Sequence, residues 1–191
     1  GFFLLERTDD DSVPNILSDF VYTGSLSNDS ETSPEGLRLF DNNCNLIDEV
    51  LANPNWPAGD NAQKRTMERS PDLSWHTYNG TAQNSIFGTP KKENSAPTIY
   101  SSGGNGGSNA STNNQQQTTA DNSTSSPAKI LINEIQITGG TNKTKNDFIE
   151  LYNPNNFQVN LNGYRLVKRT QAGTGDDLIK SWTTDIFISA N

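Results

Sequence analysis

Short apolar runs alternate with polar turns along most of this chain, and that pattern predicts β-strands. Phe2–Glu6 and Phe20–Leu26 are apolar runs of strand length in the first part of the chain. The spacing of apolar residues favours a period of two over the helical period of 3.6, and no long amphipathic helical pattern occurs. We therefore expect an all-β fold.

Two further strands are predicted in the last part of the chain. Phe148–Tyr152 is an apolar run that ends at Asn153-Pro154. Lys129–Thr138 changes the phase of its apolar positions at Asn133-Glu134, which indicates either a bulge or a strand buried on both faces. A carboxylate, Glu134 or Glu150, lies within each of these predicted strands.

Two hairpins are predicted where polar residues connect apolar runs. Leu37–Phe40 and Leu46–Leu51 flank a polar connection of hairpin length. Val159–Leu161 and Tyr164–Val167 flank the turn residues Asn162-Gly163, so we expect these two runs to pair.

If the end of the chain is joined to its beginning, the combined sequence has the pattern of one β-hairpin. Asp185–Asn191 followed by Gly1–Arg7 gives an apolar run, an Ala-Asn-Gly turn and a second apolar run. Asn-Gly is a strong hairpin signal. We therefore interpret the chain as two incomplete parts of one type of β-domain, in the order back half, linker, front half.

Composition divides the chain into a first segment (residues 1–95), a linker (residues 96–127) and a last segment (residues 128–191). Between Ser101 and Pro127 nearly all residues are Ser, Thr, Asn, Gln or Gly, with no aromatic residue and one charge, Asp121. Such a stretch buries too little apolar surface to offset its ordering entropy, which predicts disorder.

Several motifs resemble the lamin-tail domain, an immunoglobulin-like β-sandwich of nuclear lamins and of many bacterial secreted and surface proteins. Ile132–Ile135, Phe148–Pro154 and Val159–Tyr164 resemble the opening of that domain. The closing half of the bacterial form is resembled by Leu4–Arg7, Leu37–Asp41, Ile47-Asp48, Trp56–Asp60, Met67–Arg69, Trp75 and Gly88–Pro90. The residues to which the resemblance assigns a structural role are Glu6, Arg7, Trp56, Gly59, Glu68, Arg69, Glu134, Glu150, Tyr152, Asn153 and Gly163.

The chain departs from the family pattern in three respects. Cys44 stands in a hairpin turn where the family has Gly, and Lys91 stands where a second Gly is expected after Gly88–Pro90. The front half also comes last. A flexible tether of the linker's length spans about 30 Å, so the two segments are expected to close into one permuted sandwich.

Charge and composition exclude several classes of function. The net charge is −8, and the longest basic runs are Lys91-Lys92 and Lys168-Arg169, so binding to nucleic acid through a basic patch is not expected. The single cysteine, Cys44, forms no disulfide within the chain. The sequence also lacks an apolar run long enough to cross a membrane as a helix.

The candidate catalytic residues are few. His76 is the only histidine, and we expect it in a surface loop. Glu134 and Glu150 are a possible acid–base pair. The favoured interpretation is structural: these glutamates accept hydrogen bonds from the backbone or from Arg7 or Arg69 at a sheet bulge.

Two other ligand classes were considered. Asp9, Asp10 and Asp11, together with Asp176 and Asp177, are weak candidates for calcium ligands, although solvated loop charge is the favoured interpretation. Trp56, Trp75, Trp182, Tyr78 and Tyr100 suggest a carbohydrate-binding face, although Trp56 and Trp182 are better explained by packing.

The sequence therefore predicts a module that is not an enzyme and has no cofactor. Its expected role is interaction or spacing in a secreted or cell-surface bacterial protein, with a protein or a cell-envelope component as partner. Two alternatives remain open. One is an accessory domain of a secreted nuclease or phosphatase whose catalytic domain lies elsewhere, and the other is a carbohydrate-binding module with a glycan partner.

Overall fold

The computed structural model describes residues 1–26, 35–53, 55–83, 86–97, 129–137, 147–170 and 175–191. Within these ranges the regular structure consists of strands, which confirms the predicted all-β class. The strands are β1 (Phe2–Arg7), β2 (Phe20–Tyr22), β3 (Glu35–Phe40), β4 (Leu46–Leu51), β5 (Met67–Arg69), β6 (Trp75–Thr77), β7 (Leu131–Gln136), β8 (Phe148–Tyr152), β9 (Val159–Asn160), β10 (Arg165–Thr170), β11 (Asp177–Ser181) and β12 (Phe187–Ile188).

The larger sheet has six strands in the order β2-β1-β8-β7-β5-β6 and combines strands from both segments. β8 of the last segment pairs antiparallel with β1 of the first, with Phe3 opposite Leu151. β7 pairs antiparallel with β5, with Met67 opposite Ile135. β1 and β2 pair in parallel. The expected pairing between the two segments is therefore present in this sheet.

The second sheet has four strands in the order β11-β10-β3-β4 and also combines both segments. β10 pairs antiparallel with β3, with Leu166 opposite Leu39. β3 and β4 form the hairpin that the sequence predicts, closed by hydrogen bonds between Asp41 and Asn45. A separate two-stranded sheet joins β9 to β12.

A single apolar core lies between the two large sheets. Leu5, Ile132 and Leu151 enter it from the six-stranded sheet, and Leu37 and Leu39 enter it from the four-stranded sheet, all fully buried. Side chains of both segments thus share one core, and their removal from water is the main force that holds the sheets together.

A polar bridge also joins the sheets at one edge of the core. The Arg69 guanidinium on β5 contacts the Asp48 carboxylate on β4 at 2.5 Å. The same carboxylate accepts the backbone N–H of Ile132 on β7 at 2.8 Å. This bridge therefore fixes β4 of the smaller sheet against two strands of the larger one.

The backbone confirms one predicted feature and answers a question left by a second. The register of β7 against β8 shifts between Ile132 and Glu134, which is the bulge that the phase change predicts. Cys44 and Lys91 have φ angles of 64° and 61°, which are left-handed values that glycine adopts at lower cost. The non-glycine residues Cys44 and Lys91 therefore have the backbone conformation that glycine favours.

The predicted pairing of the last strands is wrong. β9 pairs with β12 and not with β10, because the turn at Gly163 (φ 87°) passes the chain from the two-stranded sheet to the four-stranded one. Asp177–Ser181, expected to begin in a loop, is strand β11 and pairs with β10.

The expected hairpin between the end and the beginning of the chain is also absent. β12 pairs with β9, whereas β1 pairs with β8 and β2. The segments nevertheless meet in space, since the nitrogen of Gly1 lies 3.2 Å from the carbonyl oxygen of Ala190. Apart from Ala96 and Pro97, the predicted linker lies outside the described residues.

Candidate functional site

A row of ionisable residues crosses the outer face of the six-stranded sheet, opposite the core. Glu134 on β7 lies between Glu150 on β8 and Glu68 on β5 in the strand register, and His76 on β6 lies opposite Glu68. Glu68, Glu134 and Glu150, here called the glutamate row, are fully buried. The row is produced by strand alternation, since neighbouring residues on the same strands enter the core.

Residues 86–97, here called the strap, cover the glutamate row and donate hydrogen bonds to it. The backbone N–H of Thr89 donates to Oε1 of Glu134 at 2.8 Å, and its hydroxyl donates to Oε1 of Glu68 at 2.5 Å. The backbone N–H of Ser95 donates to Oε2 of Glu68 at 3.0 Å. Two glutamates thus hold two points of the strap.

The third glutamate holds the middle of the strap. The backbone N–H of Lys91 donates to Oε2 of Glu150 at 2.5 Å, and the Asn133 amide donates to Oε1 at 2.9 Å. Asn94 of the strap donates to the backbone carbonyl of Asn133 at 3.0 Å. The bulge residue Asn133 therefore connects the row to the strap from the sheet side.

Gly88 is required by the close approach of the strap to the sheet. A Cβ atom at this position would lie 2.2 Å from Oε1 of Glu134 and 2.6 Å from the Thr66 methyl group. Only a residue without a side chain allows the backbone to come this near to the carboxylate. The glycine of the segment Gly88–Pro90 therefore has a direct packing explanation.

His76 lies on strand β6 and not in the surface loop that the sequence predicts. Its Nδ1 is 2.8 Å from the Ser70 hydroxyl, and its Nε2 is 3.2 Å from Oε2 of Glu68. The Ser95 hydroxyl lies 3.1 Å from Nε2. Ser70 is only 4% exposed, so these contacts fasten the β5–β6 hairpin to the strap and do not present a nucleophile to solvent.

Burial dominates the electrostatics of the row. It raises the pKa of Glu134 well above the ordinary value, and the charges of Glu150 and Glu68 raise it further. Burial likewise raises the pKa of Glu150 to about 8, against the opposing hydrogen bonds from Lys91 and Asn133. For both groups, burial in the closed sheet favours the neutral acid over the carboxylate. Oε2 of Glu134 has no hydrogen-bond partner within the described ranges.

The two arginines predicted as partners of these glutamates bind other carboxylates. Arg7 pairs with the buried Asp147 at 3.1 Å. Arg69 pairs with Asp48 and places its guanidinium 4.4 Å from the Trp75 ring centre. The sequence left backbone and arginine donors open as partners of the row, and the structure shows backbone N–H groups of the strap in that place. The prediction of backbone donors is confirmed.

Glu6 repeats this arrangement at a second loop. It is fully buried on β1, and its Oε2 accepts the backbone N–H groups of Ser12 at 2.8 Å and Val13 at 3.3 Å. Burial raises its pKa to about 7, and the nearby Asp10 and Asp9 add to the increase while the two hydrogen bonds oppose it.

Four remaining motif residues have structural contacts. Asn153 is fully buried and donates to the carbonyl of Ser189 at 2.8 Å. Gly59 (φ 91°) donates its N–H to the Thr77 hydroxyl at 2.9 Å. Trp56 packs against the core, and the Tyr152 ring stacks on Phe2 at 5.1 Å.

Two of the acidic loop residues have protein partners. Asp10 accepts the backbone N–H of Ser18 at 2.7 Å, and Asp176 pairs with Arg169. Asp177 is exposed at the start of β11. Across the part of the chain that the structure describes, no three His, Cys, Asp or Glu side chains come together in a way that would hold a metal ion.

Two of the four aromatic candidates that the structure describes are buried. Trp182 and Tyr78 are 2% and 3% exposed, so their rings are packing residues. Trp75 lies against the Arg69 guanidinium, and Tyr100 falls outside the described residues. The packing explanation for Trp56 and Trp182 is therefore confirmed.

The sequence predicted the three glutamates of the row as motif residues, but not His76. It did not predict that these four side chains lie together. No local signal connects Glu68 with Glu134, which are far apart in the chain and meet through the pairing of β5 with β7. The available sign was Glu68 on β5 with Ser70 two residues later, next to a β-strand that contains His76.

Comparison with known proteins gives no relative: no protein-family model, curated protein or solved structure matches the chain. The lamin-tail resemblance thus remains a prediction from the motifs. Among the described residues, no helix is long and apolar enough to cross a membrane.

Proposed function

We propose that the chain is a non-catalytic interaction or spacer module of a secreted or cell-surface bacterial protein. In this proposal it is an immunoglobulin-like lamin-tail sandwich, closed in permuted order from a back half and a front half. The shared core and the pairing of β1 with β8 and of β3 with β10 support closure between the two segments.

The use of the glutamate row by the strap carries the non-catalytic part of the proposal. An acid–base pair must reach substrate protons within hydrogen-bond distance. Glu134 and Glu150 are fully buried, and their oxygens accept hydrogen bonds from Thr89, Lys91 and Asn133. Their raised pKa values follow from burial, which structural carboxyls share with catalytic ones.

Different observations bear on the two alternative functions, the carbohydrate-binding module and the accessory domain of a hydrolase. The carbohydrate-binding module loses support because Trp182 and Tyr78 are buried. The accessory domain of a secreted hydrolase has the same internal structure as the favoured proposal and differs only in its neighbouring domains.

Two assays on the full chain test the proposal. The first measures hydrolysis of p-nitrophenyl phosphate, bis-p-nitrophenyl phosphate and p-nitrophenyl glycosides, and we expect no turnover above buffer. The second measures retention on isolated bacterial cell-wall and membrane fractions, and we expect retention that Glu134→Gln leaves unchanged. Turnover that His76→Ala or Glu134→Gln removes would contradict the proposal, and retention on purified glycans alone would favour the carbohydrate alternative.

A further inference from the structure

We propose that the outer face of the six-stranded sheet is a pH-sensitive clasp. Two covering elements, the strap and residues 9–19 (here called the front loop), are held over a small apolar cluster by the protonated forms of the buried Glu6, Glu134 and Glu150. Both elements loosen when these three glutamates ionise. The clasp would change the exposed surface of the module while the main core stays intact.

The front loop is fastened through Glu6. This carboxyl is fully buried, and its Oε2 accepts the N–H groups of Ser12 and Val13 at the centre of the loop. Its Oε1 is also buried but has no hydrogen-bond partner within the described ranges. An ionised carboxylate at this place would therefore have one buried oxygen without a donor from the described residues, which costs far more than a neutral acid does.

The strap is fastened through the glutamate row. Thr89 is bound to Glu134 and Glu68, and Lys91 is bound to Glu150. Oε2 of Glu134 is buried without a partner, as Oε1 of Glu6 is. Both covering elements thus rest on a carboxyl that is only half satisfied, and this shared geometry is what makes them respond to the same change.

The apolar cluster lies between the two elements and separate from the main core. Leu4 and Phe148 form its floor on β1 and β8, Val13 comes from the front loop, and Ile86 comes from the strap. All four side chains are 5% exposed or less. Opening either element would therefore expose apolar surface that the closed form hides from water.

The charged groups around each buried carboxyl either oppose or favour its ionisation. Asp9 and Asp10 face Glu6, and Glu68 and Glu150 face Glu134. Lys91 and Asp19 face Glu150, and His76 faces Glu68. Most of these neighbours are acidic, so they add to the effect of burial, whereas the partial exposure of Lys91 limits its opposing effect.

Proton linkage gives the direction in which pH shifts the equilibrium between the closed and the open form of the clasp. Burial raises the pKa of Glu6 to about 7 and that of Glu150 to about 8, whereas both return to ordinary values once water reaches them. The closed form therefore binds more protons than the open form. Closure is complete at acidic pH and weakens as pH rises through about 7 to 8.

Hydrogen exchange on the full chain, corrected for the pH dependence of chemical exchange, measures the clasp. Between pH 5.5 and 8.5 we expect the opening equilibrium of the front loop and strap to increase by about tenfold or more. Protection of β3 and β10 in the four-stranded sheet should stay unchanged. Equal changes in all strands, or no change in either covering element, would overturn the proposal.

Single-residue variants test separately how the front loop and the strap depend on pH. Glu6→Gln should remove the pH dependence of the front loop and leave that of the strap, whereas Glu150→Gln should reduce the pH dependence of the strap alone. Glu49→Gln, at a half-exposed carboxylate on β4 that pairs with Arg38, is the matched control and should change neither. Wild-type pH dependence retained in both Glu6→Gln and Glu150→Gln would overturn the proposal.

A measurement on the wild-type chain keeps the proposal testable if a variant fails to fold. Side-chain carboxyl carbon NMR should show glutamates that titrate above pH 6, with chemical-shift changes in the strap and front loop at the same pH. If every glutamate titrates at its ordinary value, the clasp does not exist.

Discussion

On its inner face the six-stranded sheet packs Ile132, Ile149 and Leu151 against the second sheet, whereas on its outer face it carries three glutamates beneath a strap. Both faces are buried. The inner face is held by contact between apolar side chains, and the outer face is held largely by hydrogen bonds to carboxyl groups.

This difference shows that one strand can be buried in two physical ways at once. β7 alternates between apolar residues that join both segments into one core and a carboxyl that holds a covering loop. Apolar contacts do not titrate, so the inner face should be insensitive to pH. Glu134 and Glu150 on the outer face have raised pKa values and should make that face sensitive to pH.

The largest expected effect comes from a cavity in the inner face. Leu151→Ala removes a fully buried side chain at the centre of the core, so we expect a loss of about 2–5 kcal/mol in the free energy of unfolding. Urea denaturation measures it, and the loss should be the same at pH 6 and pH 9. Leu178→Ala, at a residue that is 59% exposed, is the control with little expected effect.

The pH profile of the wild-type chain tests the outer face. Because the pKa of Glu150 is raised to about 8 in the folded state, its contribution is complete below about pH 4.5 and is lost as pH rises through 8. We expect the free energy of unfolding to fall by on the order of 2–4 kcal/mol between pH 5 and pH 9. Glu150→Gln should give a flatter profile, and an unchanged slope in that variant would contradict this explanation.

A smaller effect is expected where the strap meets the row. Gly88→Ala places a methyl group against Oε1 of Glu134, which must move the strap outward. We expect a loss of about 1–3 kcal/mol in thermal denaturation. Gly175→Ala, at a glycine with open space around it, is the matched control. Equal stability of the two variants would show that the strap does not pack as closely as described.

The smallest expected effect lies in the β3–β4 turn, outside both faces. Cys44 has a φ of 64°, so Cys44→Gly removes left-handed strain and should raise the free energy of unfolding by about 0.5–1 kcal/mol. Cys44→Ala, which keeps a Cβ, should give no gain. A gain from alanine equal to that from glycine would assign the effect to loss of the thiol instead.

The sequence predicted most local features of the fold. Strand Phe148–Tyr152 has the predicted bounds, the Asn133-Glu134 phase change is a bulge, and β3 and β4 form the expected hairpin. These features depend on residues close in sequence, where alternation and turn chemistry act directly. The left-handed backbone at Cys44 was not predicted, since a residue other than glycine at that turn argued against this geometry.

Features that depend on distant contacts were missed. The partner of β9 is decided by where the chain goes after Gly163, and the turn residues alone do not specify it. The pairing of β5 with β6 brings Glu68 and Ser70 next to His76. The residues beside His76 in the sequence do not indicate these contacts, and His76 was therefore predicted in a loop. Whether arginine or backbone N–H groups donate hydrogen bonds to the glutamate row depends on the path of the strap, which the sequence did not predict.

The central claim is that residues 1–95 and 128–191 build one core together. A protease site introduced between residues 101 and 127 of the full chain, followed by cleavage of the folded protein, tests it directly. We predict that the two fragments co-elute in size-exclusion chromatography and unfold in a single transition. Fragments that separate while each keeps its own cooperative unfolding would contradict the claim.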